Sequence, residues 1–350
     1  MKKRGWICGC LMALALLMSG CGMPDQDGSP DVPPEEDTLE IGITFDSFVI
    51  ERWQRDRDVF VAAAQELGAD VNVQNANGSL EEQERQIEYF IKKKVDAIVV
   101  VQVADDSGNL SNAVEAAHRA GIPVIAYDRQ IMNAGADLYI SFDNEAVGRL
   151  MGEHMMEHLG GQGQILQICG PLADNNVPQV MEGFEQAISD SELSVELTEH
   201  ADNWHAETGF SVTSSYLGAR ETPDGIMCGN DSIAGQAIRA LSEHRLAGGV
   251  CVVGQDADLD ACQRIVEGTQ CMTVYKPVEK LARRAAELAV KLARGDELEV
   301  ERRISDGSGM IPYECLQPVA VTKENMDEII TGKYHEASDI YLNIKKEKSQ

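Results

Sequence analysis

The sequence predicts an α/β protein built as two doubly wound parallel-sheet lobes joined by a hinge. Short β-branched apolar runs alternate with segments of helical period from Leu39 onward. That alternation runs through twice, in two stretches of similar size, which implies two lobes with a cleft between them. Polar residues also recur just after the strands, at Asp128-Arg129, Asp174-Asn175-Asn176, Asn230-Asp231, Gln255-Asp256 and Lys276, with Arg52 opening the first helix. Strand tips and helix starts leave a crevice along that edge of an open sheet, so ligands bind there.

Leu39 to Phe45 reads as the first strand, and Glu51 to Leu67 as a helix with Val59, Phe60, Ala63, Ala64 and Leu67 on one side. Val71 to Gln74 is the next strand. After the turn cluster Asn75-Ala76-Asn77-Gly78, Ser79 and Glu82 form a capping box that opens a helix to Lys93. Asp96 to Val101 is a strand apolar on both faces, Asn109 to Ala120 a helix stopped by Gly121, and Ile122 to Tyr127 the fourth strand. Leu138 to Phe142 closes this series.

The second series comprises helices at Asn144 to Leu159, Pro178 to Ile188, Glu207 to Leu217, Ile233 to Leu241 and Leu259 to Val266. Strands at Gln164 to Cys169, Val195 to Glu199, Gly225 to Cys228 and Val250 to Val253 alternate with them. Helix Val278 to Arg294 and strands near Val300 to Ile304 and Pro318 to Thr322 remain. A hinged chain crosses more than once, so 39–142 with 277–307 is assigned to the first lobe and 143–276 with 308–338 to the second, leaving 339–350 as a polar tail.

The first twenty residues are of another kind. Lys2, Lys3 and Arg4 precede an apolar run from Gly5 to Met18 that is short for a bilayer span, the pattern of an export signal. The run ends in Leu17-Met18-Ser19-Gly20-Cys21, which resembles the lipobox of bacterial lipoproteins and implies lipidation of Cys21; Met18 stands where that pattern prefers Leu. Residues 21–38 are acidic and Pro-rich, a tether rather than a core. Losing residues 1–20 would move the formal charge from −28 to −31, because the leader carries three bases and no acid. So acidic a surface repels phosphate backbones, and no nucleic-acid partner is expected.

Six of the nine cysteines lie beyond Cys21. An even number in an exported chain invites disulfides, but Cys169, Cys228 and Cys251 fall in or beside core strands, which favours free thiols. Asp256-Ala257-Asp258-Leu259-Asp260 imitates a calcium loop without the glycine such a loop needs. His154-Met155-Met156-Glu157-His158 matches a zinc-peptidase pattern, with no third ligand evident and no C-x-x-C pair in the chain. Asp256 and Asp258 alternate along a turn and point apart, against a glycosidase pair. With no phosphate loop, nucleophile elbow or dinucleotide fingerprint, the chain is read as a non-enzyme without cofactor or metal.

Asp, Asn and Arg side chains are planar and bind two groups at once, which suits vicinal hydroxyls, and an aromatic ring covers a sugar's C–H face. Trp204, in the loop Asp202-Asn203-Trp204-His205, is the stacking candidate, while Trp53 beside Arg52 suits either core or cleft.

The segments Glu51-Arg52-Trp53-Gln54-Arg55-Asp56-Arg57-Asp58, Ala126-Tyr127-Asp128-Arg129, Tyr139 to Glu145, Asp174-Asn175-Asn176, Gly254 to Leu259, Gly268-Thr269-Gln270 and Thr273 to Pro277 closely resemble the periplasmic D-xylose-binding proteins of bacterial ABC importers. Those are ribose-binding-like solute receptors of the type I periplasmic binding fold, and the likeness runs from about Leu39 to Tyr334. It implies Arg52, Asp128 and Arg129 as ligand contacts from the first lobe, with Asn176, Trp204, Asn230, Asp256 and Lys276 from the second lobe and hinge, and Asp174 beside them. Ile168-Cys169-Gly170-Pro171 and His205-Ala206 depart from the family pattern near the cleft. The resemblance implies a monomeric lipid-anchored receptor outside the cytoplasmic membrane, or in the periplasm, that delivers D-xylose to a membrane permease. Receptors for ribose, arabinose, glucose or galactose, feeding transport or chemotaxis, are the alternative.

Overall fold

A computed structural model describes residues 38–104, 110–219 and 222–344. The export signal, Cys21 and the acidic tether therefore lie outside the described residues, as does the end of the polar tail. The first series runs β1 (Leu39–Phe45), α1 (Arg52–Glu66), β2 (Ala69–Asn75), α2 (Leu80–Lys93), β3 (Ala97–Val100), α3 (Ser111–Arg119), β4 (Val124–Tyr127) and β5 (Leu138–Phe142). The second runs α4 (Asn144–Leu159), β6 (Gln162–Cys169), α5 (Asn176–Ile188), β7 (Glu192–His200), α6 (Glu207–Ala219), β8 (Gly225–Cys228), α7 (Asp231–Glu243), β9 (Cys251–Gln255), α8 (Leu259–Glu267) and β10 (Met272–Tyr275). Then come α9 (Val278–Ala293), β11 (Arg303–Ser305), β12 (Met310–Leu316), β13 (Val319–Val321), α10 (Met326–Ile329) and α11 (Ala337–Ile340).

The strands form two sheets, β11-β12-β5-β4-β3-β1-β2 and β13-β10-β9-β8-β6-β7. Within them β1 to β5 and β6 to β10 pair in parallel, while β11 and β13 join antiparallel at the edges. Central strands such as β3 and β4 are buried along their whole length, as their unbroken apolar runs require.

Local signals set the helix starts. Ser79 Oγ accepts from the Glu82 amide at 3.2 Å, Asp143 from Ala146 at 3.0 Å, and Asn230 from Ile233 at 2.9 Å. Only one arm of the expected capping box is made, because the Glu82 carboxylate accepts from Arg85 and Gln86 instead. The crossing of α4 and α5 depends on missing side chains: a Cβ at Gly148 would lie 1.8 Å from the Val180 carbonyl oxygen, and one at Gly183 2.0 Å from that of Glu145.

One assignment from the sequence is corrected. The sequence assigns the segment beginning at 308 to the second lobe, but β12 joins the first sheet, pairing in parallel with β5 from Tyr313↔Tyr139 to Leu316↔Phe142. Pro312 hid this strand, because it cannot donate to a ladder. It falls one residue before the pairing with β5 begins, so its missing N–H breaks nothing there. The last passage between sheets therefore follows Leu316, and the chain crosses three times: after β5, after β10 and between β12 and β13.

Candidate functional site

Both sheets turn their strand carboxyl ends toward each other, and the side chains there line one small cavity. All nine residues singled out in the sequence line it: Arg52, Asp128, Arg129, Asp174, Asn176, Trp204, Asn230, Asp256 and Lys276. Ile50, Trp53, Asn144 and Gln255 complete the wall. Gln255 stands in the strand-end set without having been taken as a contact, and Asn144 follows the same rule and could have been chosen by it; Trp53 sits one position inside a helix, where no local signal separates core from cleft.

The first lobe's charges form a chain. Arg52 donates to both oxygens of Asp56, at 3.0 and 3.2 Å, and its Nη1 lies 2.9 Å from Asp128 Oδ2. The Tyr127 hydroxyl also donates to Asp56. Burial opposes ionisation of Asp128, but Arg52, then Lys276 and Arg129, outweigh it and hold the carboxyl below its ordinary range. At Asp56 burial wins over Arg52, and the pKa is raised. Arg129 reaches across the cleft: its Nη1 donates to Asp46 at 2.5 Å and to the Gln102 carbonyl at 3.0 Å, while its Nε lies 2.6 Å from Asp174 of the second lobe.

Asn176, at the start of α5, donates to the Asp128 carbonyl at 3.1 Å and accepts from Asn144 at 3.0 Å and Tyr139 at 3.3 Å. Asn175 and Gln130 exchange two further bonds across the cleft, each 3.3 Å. The lobes are thus closed on each other. Trp204 donates its indole N–H to Asp174 at 3.2 Å, and its ring lies so near Gly170 that a Cβ there would sit 2.4 Å from it. This explains the glycine in the otherwise divergent Cys169-Gly170-Pro171 turn. Lys276 Nζ lies 2.8 Å from Asp256 Oδ1. The Asn230 oxygen caps α7, so its NH2 is what it can offer the cavity.

Backbone strain points three of these side chains inward. Asp128, Trp204 and Asp256 have φ of 62°, 59° and 100°, a region that costs a non-glycine residue about 1–3 kcal/mol. Beneath Asp256, fully buried Asp231 accepts from Gln270 at 2.8 Å, Thr273 at 2.7 Å and the Asp258 amide at 3.2 Å, fixing the turn that carries Asp256 and Asp258. Asp256 therefore faces Lys276, whereas Asp258 accepts from Ser232 at 3.4 Å.

The cavity's ionisable lining is three cations, Arg52, Arg129 and Lys276, against three carboxylates, Asp128, Asp174 and Asp256. Paired in this way, they leave no excess charge to attract an ion but many oriented donors and acceptors. Among the described residues, the indole N–H of Trp53 and Gln255 Oε1 are buried without a hydrogen-bond partner. Such orphans are rare in proteins, and here both belong to residues that line the same cavity.

Comparison with known proteins agrees with this fold. The family of the periplasmic binding protein domain matches residues 41–297. The D-xylose-binding periplasmic protein of Haemophilus influenzae is 40% identical over 309 residues, 87% of this chain and 92% of its own length. Its namesake from Escherichia coli is 39% identical over 86% of this chain and 92% of its own length. Among solved structures, a carbohydrate transporter solute-binding protein from Chloroflexus aurantiacus in complex with D-glucose superposes with a TM-score of 0.78 at 27% identity, covering 86% of this chain and 98% of that one. On the strength of the matched domain and of relatives aligned along nearly their whole length, the chain belongs to the periplasmic binding protein family, whose members bind substrates and are not enzymes.

Proposed function

We propose that the protein is an exported, lipid-anchored receptor that closes around one molecule of D-xylose and hands it to a membrane ABC permease. The observation that carries this reading is the cavity itself: it is small, balanced in charge, and lined from both lobes by planar side chains that hydrogen-bond in pairs. A neutral polyhydroxylated ring satisfies such a wall, and the relatives that bind D-xylose share about two-fifths of the sequence. The six ionisable side chains and Asn176, Asn230 and Trp204 are the proposed contacts, with Trp53, Asn144 and Gln255 added by the structure.

Only the closed form lets both lobes touch the sugar, so binding shifts the hinge equilibrium toward closure. The closed lobes then present a surface for the permease. A dissociation constant on the order of 1 μM, about −8 kcal/mol, is expected. Export and anchoring rest on residues 1–21, and a Cys21→Ser variant is expected in the soluble rather than the membrane fraction.

Thermal unfolding against a panel of monosaccharides tests the ligand. D-xylose is expected to raise the midpoint most. A larger shift with D-glucose or D-ribose would favour a receptor for that sugar, a reading supported by the glucose-bound structural neighbour. No shift with any monosaccharide would remove the proposal.

A further inference from the structure

At the far end of the second lobe, away from the cavity, four metal-ligating side chains converge. His154 and His158 stand one turn apart on α4, so both imidazoles leave the same side of the helix. Cys251 opens β9, and Cys271 immediately precedes β10; the two strands pair in parallel, with Met272 beside Val253. Parallel neighbours bring their first residues together, and α4 packs across both. The third and fourth ligands missing from the sequence pattern thus come from two strand starts, where no spacing rule could show them.

One ligand atom from each of the four residues lies within 4.8 Å of all the others, and Cys271 Sγ is 3.8 Å from His158 Nε2. A tetrahedral Zn(II) ion bound at about 2.3 Å to sulfur and 2.0 Å to nitrogen holds its ligand atoms about 3.3–3.8 Å apart. Contraction by less than about 1.5 Å, within reach of side-chain rotation, closes that figure. Among the described residues His154 Nε2 is moreover buried with no hydrogen-bond partner, in a side chain that clusters with two thiols. Thiolate and imidazole together select zinc over the hard, oxygen-seeking cations.

We propose that His154, His158, Cys251 and Cys271 form a structural Zn(II) site that pins α4 to the amino ends of β9 and β10. Two thiolates balance the ion's charge, and four protein ligands leave no open position for catalysis. The same two strands carry Gln255, Asp256 and Lys276 at their other ends, and five residues of β9 put the ion roughly 13 Å from the cavity. The ion would brace the scaffold behind the sugar contacts without touching the sugar.

The test uses the whole folded chain, stripped with a chelator under reducing conditions and titrated with Zn(II) against a chromophoric competitor. One equivalent is expected to bind and to raise the unfolding midpoint. Co(II) in its place is expected to give thiolate charge-transfer absorption. His158 is exposed, so His158→Ala should unfold like the metal-free parent while its Zn(II) affinity drops by at least about 100-fold, more than loss of an outer-shell partner costs. Cys271→Ser should abolish the cobalt charge-transfer band from that sulfur. Substoichiometric binding, or affinity unchanged in both variants, overturns the proposal. So does a Cys251–Cys271 disulfide found by non-reducing mass analysis of the exported protein.

Discussion

Arg129 touches Asp46 and Gln102 in one lobe and Asp174 in the other, so a single guanidinium both shapes the cavity and ties it shut. Its place in the cavity wall was readable because it follows a strand, as were those of Asp128, Asn230 and Asp256. Trp53 was not readable: it is 2% exposed like any core residue, and only the orphaned indole N–H and its place in the wall separate it from the core. Trp204 sits on bare Gly170 and is held by Asp174. Trp204→Ala is expected to weaken D-xylose binding by about 2 kcal/mol, roughly 30-fold, as for other buried aromatic contacts; calorimetry showing full affinity would take Trp204 out of the site. Asp306 gives a test of stability. It accepts from the amides of Ala134, Gly135, Ser308 and Gly309 and from the Ser308 hydroxyl. Burial opposes its charge, but those donors, Gly135 foremost, hold its pKa down at about 2. Asp306→Ala should therefore cost about 2–3 kcal/mol in urea unfolding at neutral pH. Because the folded pKa lies below the unfolded value, the wild type's advantage is full above about pH 4 and fades as the pH falls toward 2.

Helices and strands were legible to within a few residues wherever period and caps agreed, as at Ser79 and Leu138 to Phe142. β12 was not, because Pro312 masks it and its place between β11 and β5 rests on a pairing with β5 distant in sequence. The α4–α5 contact was equally hidden, since glycine spacing does not announce which helix will approach. Gly148→Ala is expected to destabilise by about 3 kcal/mol, at the upper end of overpacking, through backbone contact that cannot relax by a rotamer change; an unchanged unfolding midpoint would mean that the helices stand further apart. The α7 start gives a pH test. Burial pushes Asp231 up to about 7, against the pull of Arg264 and Thr273. With the folded pKa above the unfolded value near 3.8, the folded state binds the extra proton between about pH 4 and 7. Stability should thus fall as pH rises through that window, measured on sugar-free protein, and Asp231→Asn should flatten the slope.

At the scale of the molecule, two sheets whose strands end toward each other make the cleft, and three crossings make it a hinge. The doubled alternation of strand and helix foretold this arrangement, and the strand-end rule foretold most of the cavity wall. What the sequence could not show is the balance of charge inside, because that depends on which acid meets which base: Asp128 with Arg52, Asp174 with Arg129, Asp256 with Lys276. Those pairings, two of them within a lobe and one across the cleft, are what the proposed reading rests on, a neutral ligand gripped by both halves. Titration calorimetry of D-xylose into the wild type, Asp128→Asn of the first lobe and Asp256→Asn of the second tests this most directly. One site per chain is expected in the wild type, with affinity reduced at least about tenfold in each variant, as for loss of a charged hydrogen bond. Absence of heat in the wild type, or affinity that survives removal of the charge from either lobe, would contradict it.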